Sequence, residues 1–252
     1  LPNMLWLKRH HPGLFARTRY FSTPTDYLVY RFTGEWAGDA SGHAGSLLVD
    51  IGKRDWSGEL LDRLDIPKQS LPPLFDSTAV VGRIGRRAAQ DTGLPVGVPV
   101  VVGGGDNDCA AIGARAFRPG TTSISLGTAG IILAQLDSPL PAMRGELDIF
   151  PHVIPGQWYA MGMIPSAGMS LGWLKARLVD EALGTHAACN RPSTREWLAS
   201  LQPPIGGLSS SDDLFFFPFL QGRGNPNKDA DARGVFWGLS GAHANSHLVA
   251  AV

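Results

Sequence analysis

The feature that most constrains this chain is an apolar run that stops abruptly in glycines: Val98-Pro99-Val100-Val101-Val102, then Gly103-Gly104-Gly105-Asp106-Asn107. Such a continuous run predicts a strand buried on both faces, as in sheets covered by helices. The small residues Ala110, Ala111, Gly113 and Ala114 that follow allow a helix to pack closely behind it. The expected class is therefore α/β, with Asp106 at the carboxyl end of a strand, where open α/β sheets bind ligands. Glycines let backbone approach a ligand, while Asp106 can accept a hydroxyl proton and Asn107 can hydrogen-bond a neighbouring group. The alternative is a helix N-cap, which Asp and Asn both favour and which is the commoner use of such a segment taken alone.

The first third reads as scaffold. Asn3 is expected to cap a helix over Met4 to His10, Thr25 or Thr23 to cap one running to Phe32 and ending at Gly34, and Ser57 to cap the amphipathic segment Gly58 to Leu64. A proline-rich connection from Ile66-Pro67 to Leu71-Pro72-Pro73 leads past Gly82-Arg83-Ile84-Gly85 to a short helix ended by Gly93. Arg118-Pro119-Gly120 reads as a linker between domains.

Beyond the linker, Thr121 to Leu126 and Ile131 to Ala134 are two β runs around Gly127-Thr128-Ala129-Gly130, which predicts a hairpin. A turn of that kind can aim amides and the Thr128 hydroxyl at phosphate oxygens, although glycine-rich hairpin turns are commoner than phosphate loops. Neither G-x-x-x-x-G-K-[ST] nor G-x-G-x-x-G occurs, so Walker and Rossmann nucleotide sites are not supported. Gln157 to Met161 predicts a further strand, and Ser166 is expected to cap a helix from Ala167 to about Ala182 with Trp173, Leu174 and Leu178 on one face. The Phe215-Phe216-Phe217 run reads as a buried strand, and Asp229, Asp231 and Arg233 as a salt-bridged turn. His243 and His247 have the i, i+4 spacing of a metal pair but no third ligand, which favours a capping or surface role and no metal site.

Composition narrows the partners. Lys+Arg and Asp+Glu both number 22 in 252 residues, so no broad basic field exists to attract nucleic acid or anionic membrane. No apolar stretch approaches the roughly twenty residues that a bilayer-spanning helix needs. Cys109 and Cys189 are too few for a disulfide scaffold and read as reduced thiols of a cytoplasmic protein. The chain opens on Leu1-Pro2 and stops within the helix-like run His247 to Val252, so both ends read as cut.

Taken in order, these segments resemble the FGGY carbohydrate kinases along essentially the whole chain. Leu1 to Lys8, Asp26-Tyr27-Leu28 through Gly34-Glu35, and Asp39-Ala40-Ser41 are similar to the first family signature and its continuation. Gly103 to Asn107 is similar to the acid motif of the xylulokinase branch, and Ser125 to Gly130 to the second phosphate motif. Ala167 to Leu174 resembles the helix start that lies against the nucleotide, and Gly234 to Leu239 with His247-Leu248 the second signature. The pattern departs at Asn3, where Lys is usual, and at Gly222 to Pro226, where Gly-Glu-Arg-Thr-Pro is usual.

The resemblance implies two ribonuclease-H-like domains of the actin, hexokinase and heat-shock-ATPase superfamily around a cleft, each incomplete, divided as residues 1–118 and 119–252. It implies Asp106 as catalytic base and sugar contact, Asn107 as a second sugar contact, and Gly127, Thr128, Gly168 and Gly172 as nucleotide contacts. The implied reaction passes the γ-phosphate of magnesium-bound ATP to a ketopentose, D-xylulose first, with ribulose, glycerol or a non-catalytic sugar-binding module as alternatives. Sugar and ATP are the implied partners, and a homodimer stays open. Residues 1–252 alone are expected to be inactive.

Overall fold

The computed structural model describes residues 1–139, 147–180, 192–200 and 213–252. It divides into two compact units: Leu1–Ser123 with Leu133–Ala142 and Ile149–Ala160, and Ile124–Ile132 with Met143–Asp148 and Met161–Val252.

In the first unit α1 (Pro2–His10) starts with proline at its first turn, so Asn3 lies inside the helix and does not cap it. Lys8, Arg9 and His10 fill its last turn, where cations oppose the helix dipole, and Lys8 Nζ reaches the Leu64 and Asp65 carbonyls and the Asp65 carboxylate, each at 2.8 Å. After α2 (Pro12–Arg17), α3 (Pro24–Thr33) opens on Thr23, which forms a reciprocal capping box with Asp26, and closes on Gly34 in the left-handed conformation. Then come β1 (Gly38–Asp39), α4 (Ala40–Ala44), β2 (Val49–Asp50), β3 (Asp55–Trp56) and α5 (Gly58–Leu64), the last capped by Ser57 as expected. Leu48, Trp56, Leu61, Ile66 and Leu71 form a buried cluster against which Leu1, Met4, Phe15 and Phe21 pack. The Trp56 indole N–H donates to the Pro72 carbonyl at 2.7 Å, so its one polar atom is satisfied inside that core.

β4 (Leu74–Phe75) pairs in parallel with β1, and β5 (Val80–Arg83) pairs antiparallel with β6 (Pro99–Val101); α6 (Arg86–Thr92), ended by Gly93, connects them. Here the sequence expectation needs correction. The Val98 to Val102 run is not a strand buried on both faces: β6 pairs with β5 in an antiparallel ribbon, with Pro99 and Val101 exposed and only Val102 of the run buried. α7 (Asp106–Gly113) follows the glycines.

A four-stranded sheet has the order β7-β8-β10-β9, from β7 (Thr122–Leu126), β8 (Gly130–Leu136), β9 (Asp148–Pro151) and β10 (Trp158–Ile164). The predicted hairpin is β7 with β8. α8 (Gly168–Lys175) begins one residue later than expected with Ala167 at its cap position; Ser166 does not cap it, its carbonyl instead accepting from the Ser170 hydroxyl at 2.7 Å. The chain continues as a π-helical turn over Ala176–Asp180, and the expected end near Ala182 lies outside the described residues. Leu174 is buried with Trp197 of α9 (Thr194–Ser200) and Val249 of α10 (Asn245–Ala251), with Trp173 and Leu178 packed beside them.

Two further readings change, and one holds. β11 (Phe215–Phe217) pairs antiparallel with β12 (Val235–Trp237), but Phe215 and Phe217 are exposed and only Phe216 turns toward Phe236 and Trp173. Period-two alternation on a two-stranded ribbon leaves one face uncovered. The Asp229 to Arg233 turn is held by main-chain contacts, Asp229 accepting from the Asp231 and Ala232 amides while Arg233 donates to the Ala230 and Ala232 carbonyls. His243 and His247 accept at Nδ1 from the Ser240 and Ala244 amides, the capping role expected of them. Cys109 is a free, exposed thiol, and Cys189 lies outside the described residues. Among the described residues no helix is long and apolar enough to cross a membrane.

Candidate active site

The glycine loop is held from three sides within the first unit. The Val102 and Gly103 amides donate to the Ala79 and Ser77 carbonyls, and Gly103 takes φ +85°, which favours glycine. A Cβ on Gly104 would overlap Val153 Cγ1, so the loop is pressed on the Pro151 to Ile154 segment as closely as glycine allows. The Gly105 amide donates to Ser41 Oγ at 3.0 Å. Ser41 in turn donates to Asp39, whose carboxylate caps α4 through the Ser41 and Gly42 amides and also accepts from the Ser77 hydroxyl at 3.1 Å.

Out of this clamp α7 starts. Gly105 occupies the cap position and Asp106 is the first helical residue, so neither Asp106 nor Asn107 is the N-cap. The Asp106 side chain is exposed and, among the described residues, accepts only from its neighbour's amide, Asn107 N–H, at 2.7 Å. Its carboxylate therefore faces solvent from the first turn of a helix.

Two residues on, Asp108 is fully buried, and sequence reasoning missed it. Burial raises its carboxyl to about 7, helped by the nearby Asp39 charge and opposed by the Tyr159 hydroxyl, the Val153 amide and Arg54. Neither oxygen makes a hydrogen bond of ordinary geometry. The only sequence signal was the Asp-Asn-Asp spacing itself, which puts the second acid on the opposite side of the turn from the first.

In the second unit the other candidates gather around one cavity of about 740 Å³, lined by Leu126, Gly127, Thr128, Gly168, Met169, Gly172 and Trp173. The Gly127 amide closes the turn on the Ala129 carbonyl, and the Ala167 and Gly168 amides donate to the Thr128 and Gly127 carbonyls at 3.0 and 2.9 Å. A Cβ on Gly168 would sit 2.6 Å from the Gly127 oxygen, so the first turn of α8 touches the hairpin turn only because residue 168 lacks a side chain. Gly172 has open space beside it on the same cavity. The cradle is thus mostly backbone, with the exposed Thr128 as its polar side chain.

Residues 1–113 match the N-terminal domain, and residues 122–252 the C-terminal domain, of the FGGY family of carbohydrate kinases. The chain belongs to that family. It is 34% identical to a xylulose kinase of Bacillus subtilis (strain 168) over all of its own length and 48% of that protein's, so the chain spans about half the length of the curated relatives it matches. A xyloylose kinase from Brucella ovis superposes with a TM-score of 0.85 at 31% identity, covering 99% of this chain and 49% of that one. A gluconate kinase from Lactobacillus acidophilus superposes at 0.82 with 25% identity, covering 99% and 48%. The FGGY chain therefore carries an α/β fold of the sugar-kinase, actin and hexokinase type.

Proposed function

We propose that the protein containing this FGGY chain is an ATP-dependent sugar kinase that phosphorylates a ketopentose, D-xylulose first. The observation that carries this reading is Asp106: an exposed carboxylate on a glycine loop at a helix N-terminus, in a chain similar over its whole length to xylulose kinases. Asp106 takes the proton of the acceptor hydroxyl as that oxygen attacks the γ-phosphorus, and Asn107 orients the sugar beside it. General-base assistance of this kind contributes about 10²–10⁴-fold. Gly127 and Thr128 hold the phosphates, and Gly168 and Gly172 line the nucleotide side of the cavity. On this reading residues 1–118 belong to the sugar-binding domain and 119–252 to the nucleotide-binding domain.

ATP enters such reactions as its magnesium complex. Among the described residues no group of three or more His, Cys, Asp or Glu is arranged to hold a metal ion, so no step is assigned to a metal held by them. The likeness to a gluconate kinase supports a second reading, a different sugar or polyol acceptor on the same machinery. Initial rates of ADP formation by the complete protein over xylulose, ribulose, gluconate and glycerol test both. The expected outcome is a kcat/KM for D-xylulose above the other three. Preference for another acceptor replaces the substrate, and ADP formation with none of them overturns the kinase reading.

A further inference from the structure

Asp106 and Asp108 occupy the first and third positions of α7, about 200° apart around a helix of 3.6 residues per turn. One faces solvent, and the other is wholly buried on the far side of the same turn. Any rotation of that turn which re-aims Asp106 must therefore drag Asp108 through its seat. The seat is polar. His152, itself fully buried, accepts the Ile154 amide at Nδ1 (2.9 Å), which assigns the ring proton to Nε2. That Nε2 lies 3.7 Å from Asp108 Oδ1 and has no hydrogen-bond partner among the described residues. Arg54 donates to the His152 carbonyl at 2.9 Å, and its positive charge together with burial disfavours a cationic ring. Tyr159 stands edge-on to His152 and interacts with Asp108 through its hydroxyl. The groups facing Asp108 are thus Asp39, Arg54, His152 and Tyr159 from neighbouring segments, and Asp106 and Cys109 from its own helix.

We propose that Asp108 is a positioning residue for Asp106: seated against His152 and Tyr159, it locks the rotation of the first turn of α7 and so aims the exposed carboxylate. This rests on the reading of Asp106 as the base. Asp108 lies 3.7 Å from His152 Nε2 and interacts with the Tyr159 hydroxyl, and burial makes this seat hold the neutral acid better than the carboxylate. Locking therefore weakens as Asp108 loses its proton, near pH 7.

The test uses the complete enzyme and the variants Asp108→Asn, His152→Gln and His152→Phe. Misaiming a reacting group by about 1 Å can cost on the order of 10²-fold, so D108N is expected to lower kcat about 10–100-fold with the nucleotide KM unchanged. The parent kcat is expected to step downward through about pH 7, and D108N to lack the step. H152Q, which keeps an N–H donor, should retain more kcat than H152F, which removes it. A role confined to stability would lower the yield of folded enzyme while leaving the kcat of folded enzyme and its pH profile alone. Folded D108N with kcat within about twofold of the parent and an unmoved profile overturns the proposal, as does equal kcat in H152Q and H152F if D108N does not fold. A parent that turns over no sugar is the separate failure of the kinase reading. In that event Tm decides: the folded state holds the Asp108 proton more tightly than the unfolded chain does, so stability falls between about pH 4 and 7. The parent's Tm deficit relative to D108N should then grow over that range, and a constant difference overturns the buried seat.

Discussion

The loop before Asp106 and the turn at Gly127 are both glycine-rich approaches to a candidate ligand, yet they are built in different ways. Behind Asp106 stands a buried set of side chains: Ser41, Asp39, Ser77, Asp108 and His152. The Gly127 turn has almost none; carbonyls of residues 127 and 128 meet amides of residues 167 and 168, and what brings them together is the missing Cβ at Gly168. A base has to be aimed, and aim needs side-chain support on several sides. A phosphate needs amides and room, which backbone supplies by itself. The two sites should consequently fail differently under mutation.

The largest effect is expected at Asp106, the proposed base. Asp106→Asn keeps the size and the Asn107 contact but removes basicity, so kcat in the complete enzyme should fall about 10²–10⁴-fold. Nucleotide KM should stay near the parent's, because the nucleotide contacts assigned above belong to the other group of residues. Steady-state kinetics with both substrates varied checks this. A kcat within about tenfold of the parent's removes Asp106 from the role and with it the contrast between an aimed acid and a backbone cradle.

Next comes the cradle. In Gly168→Ala the new methyl would lie 2.6 Å from the Gly127 oxygen, and backbone on both sides must move. Moving packed backbone costs about 1–3 kcal/mol. If that strain falls on the bound state, nucleotide KM rises about 5–150-fold, at about 1.4 kcal/mol per factor of ten. Sugar KM should change little. Gly172→Ala, with open space at its Cβ, is the matched control and should perturb nucleotide KM less than Gly168→Ala does. Equal effects at the two glycines would mean that close approach at residue 168 is not what shapes the cavity.

This contrast also explains what was legible in the sequence. Caps and stops were read because they are local: Thr23, Gly34, Ser57 and Gly93 act within one turn of their own position. The hairpin turn at Gly127 to Gly130 was read for the same reason, since backbone geometry is written in the residue that adopts it. The apolar run before Asp106 misled, because Val98 to Val102 has the composition of a doubly covered strand while its pairing with Val80 to Arg83 leaves Val101 exposed. Coverage is a tertiary fact. Asp108 and His152 were missed on the same ground: they are 44 residues apart, and neither sits in a motif until the fold presses the Gly103 to Gly105 loop against Val153.

The smallest effect separates side chain from backbone within the cradle. Thr128 is exposed and lines the cavity: its carbonyl anchors the Ala167 and Met169 amides at 3.0 and 3.2 Å, and its hydroxyl is the proposed phosphate donor. Thr128→Ala leaves the carbonyl in place and deletes the donor. One hydrogen bond contributes about 0.5–1.5 kcal/mol, so nucleotide KM or the phosphoryl-transfer rate should worsen about 2–10-fold, with Tm nearly unchanged. Thr128→Ser retains the hydroxyl and should recover most of that loss. If T128A instead costs as much as G168A, the cradle depends on its side chain after all and the division between the two sites weakens. If T128A and T128S are equivalent to the parent, the hydroxyl contributes nothing and the phosphates are held by amides alone, which sharpens the division further.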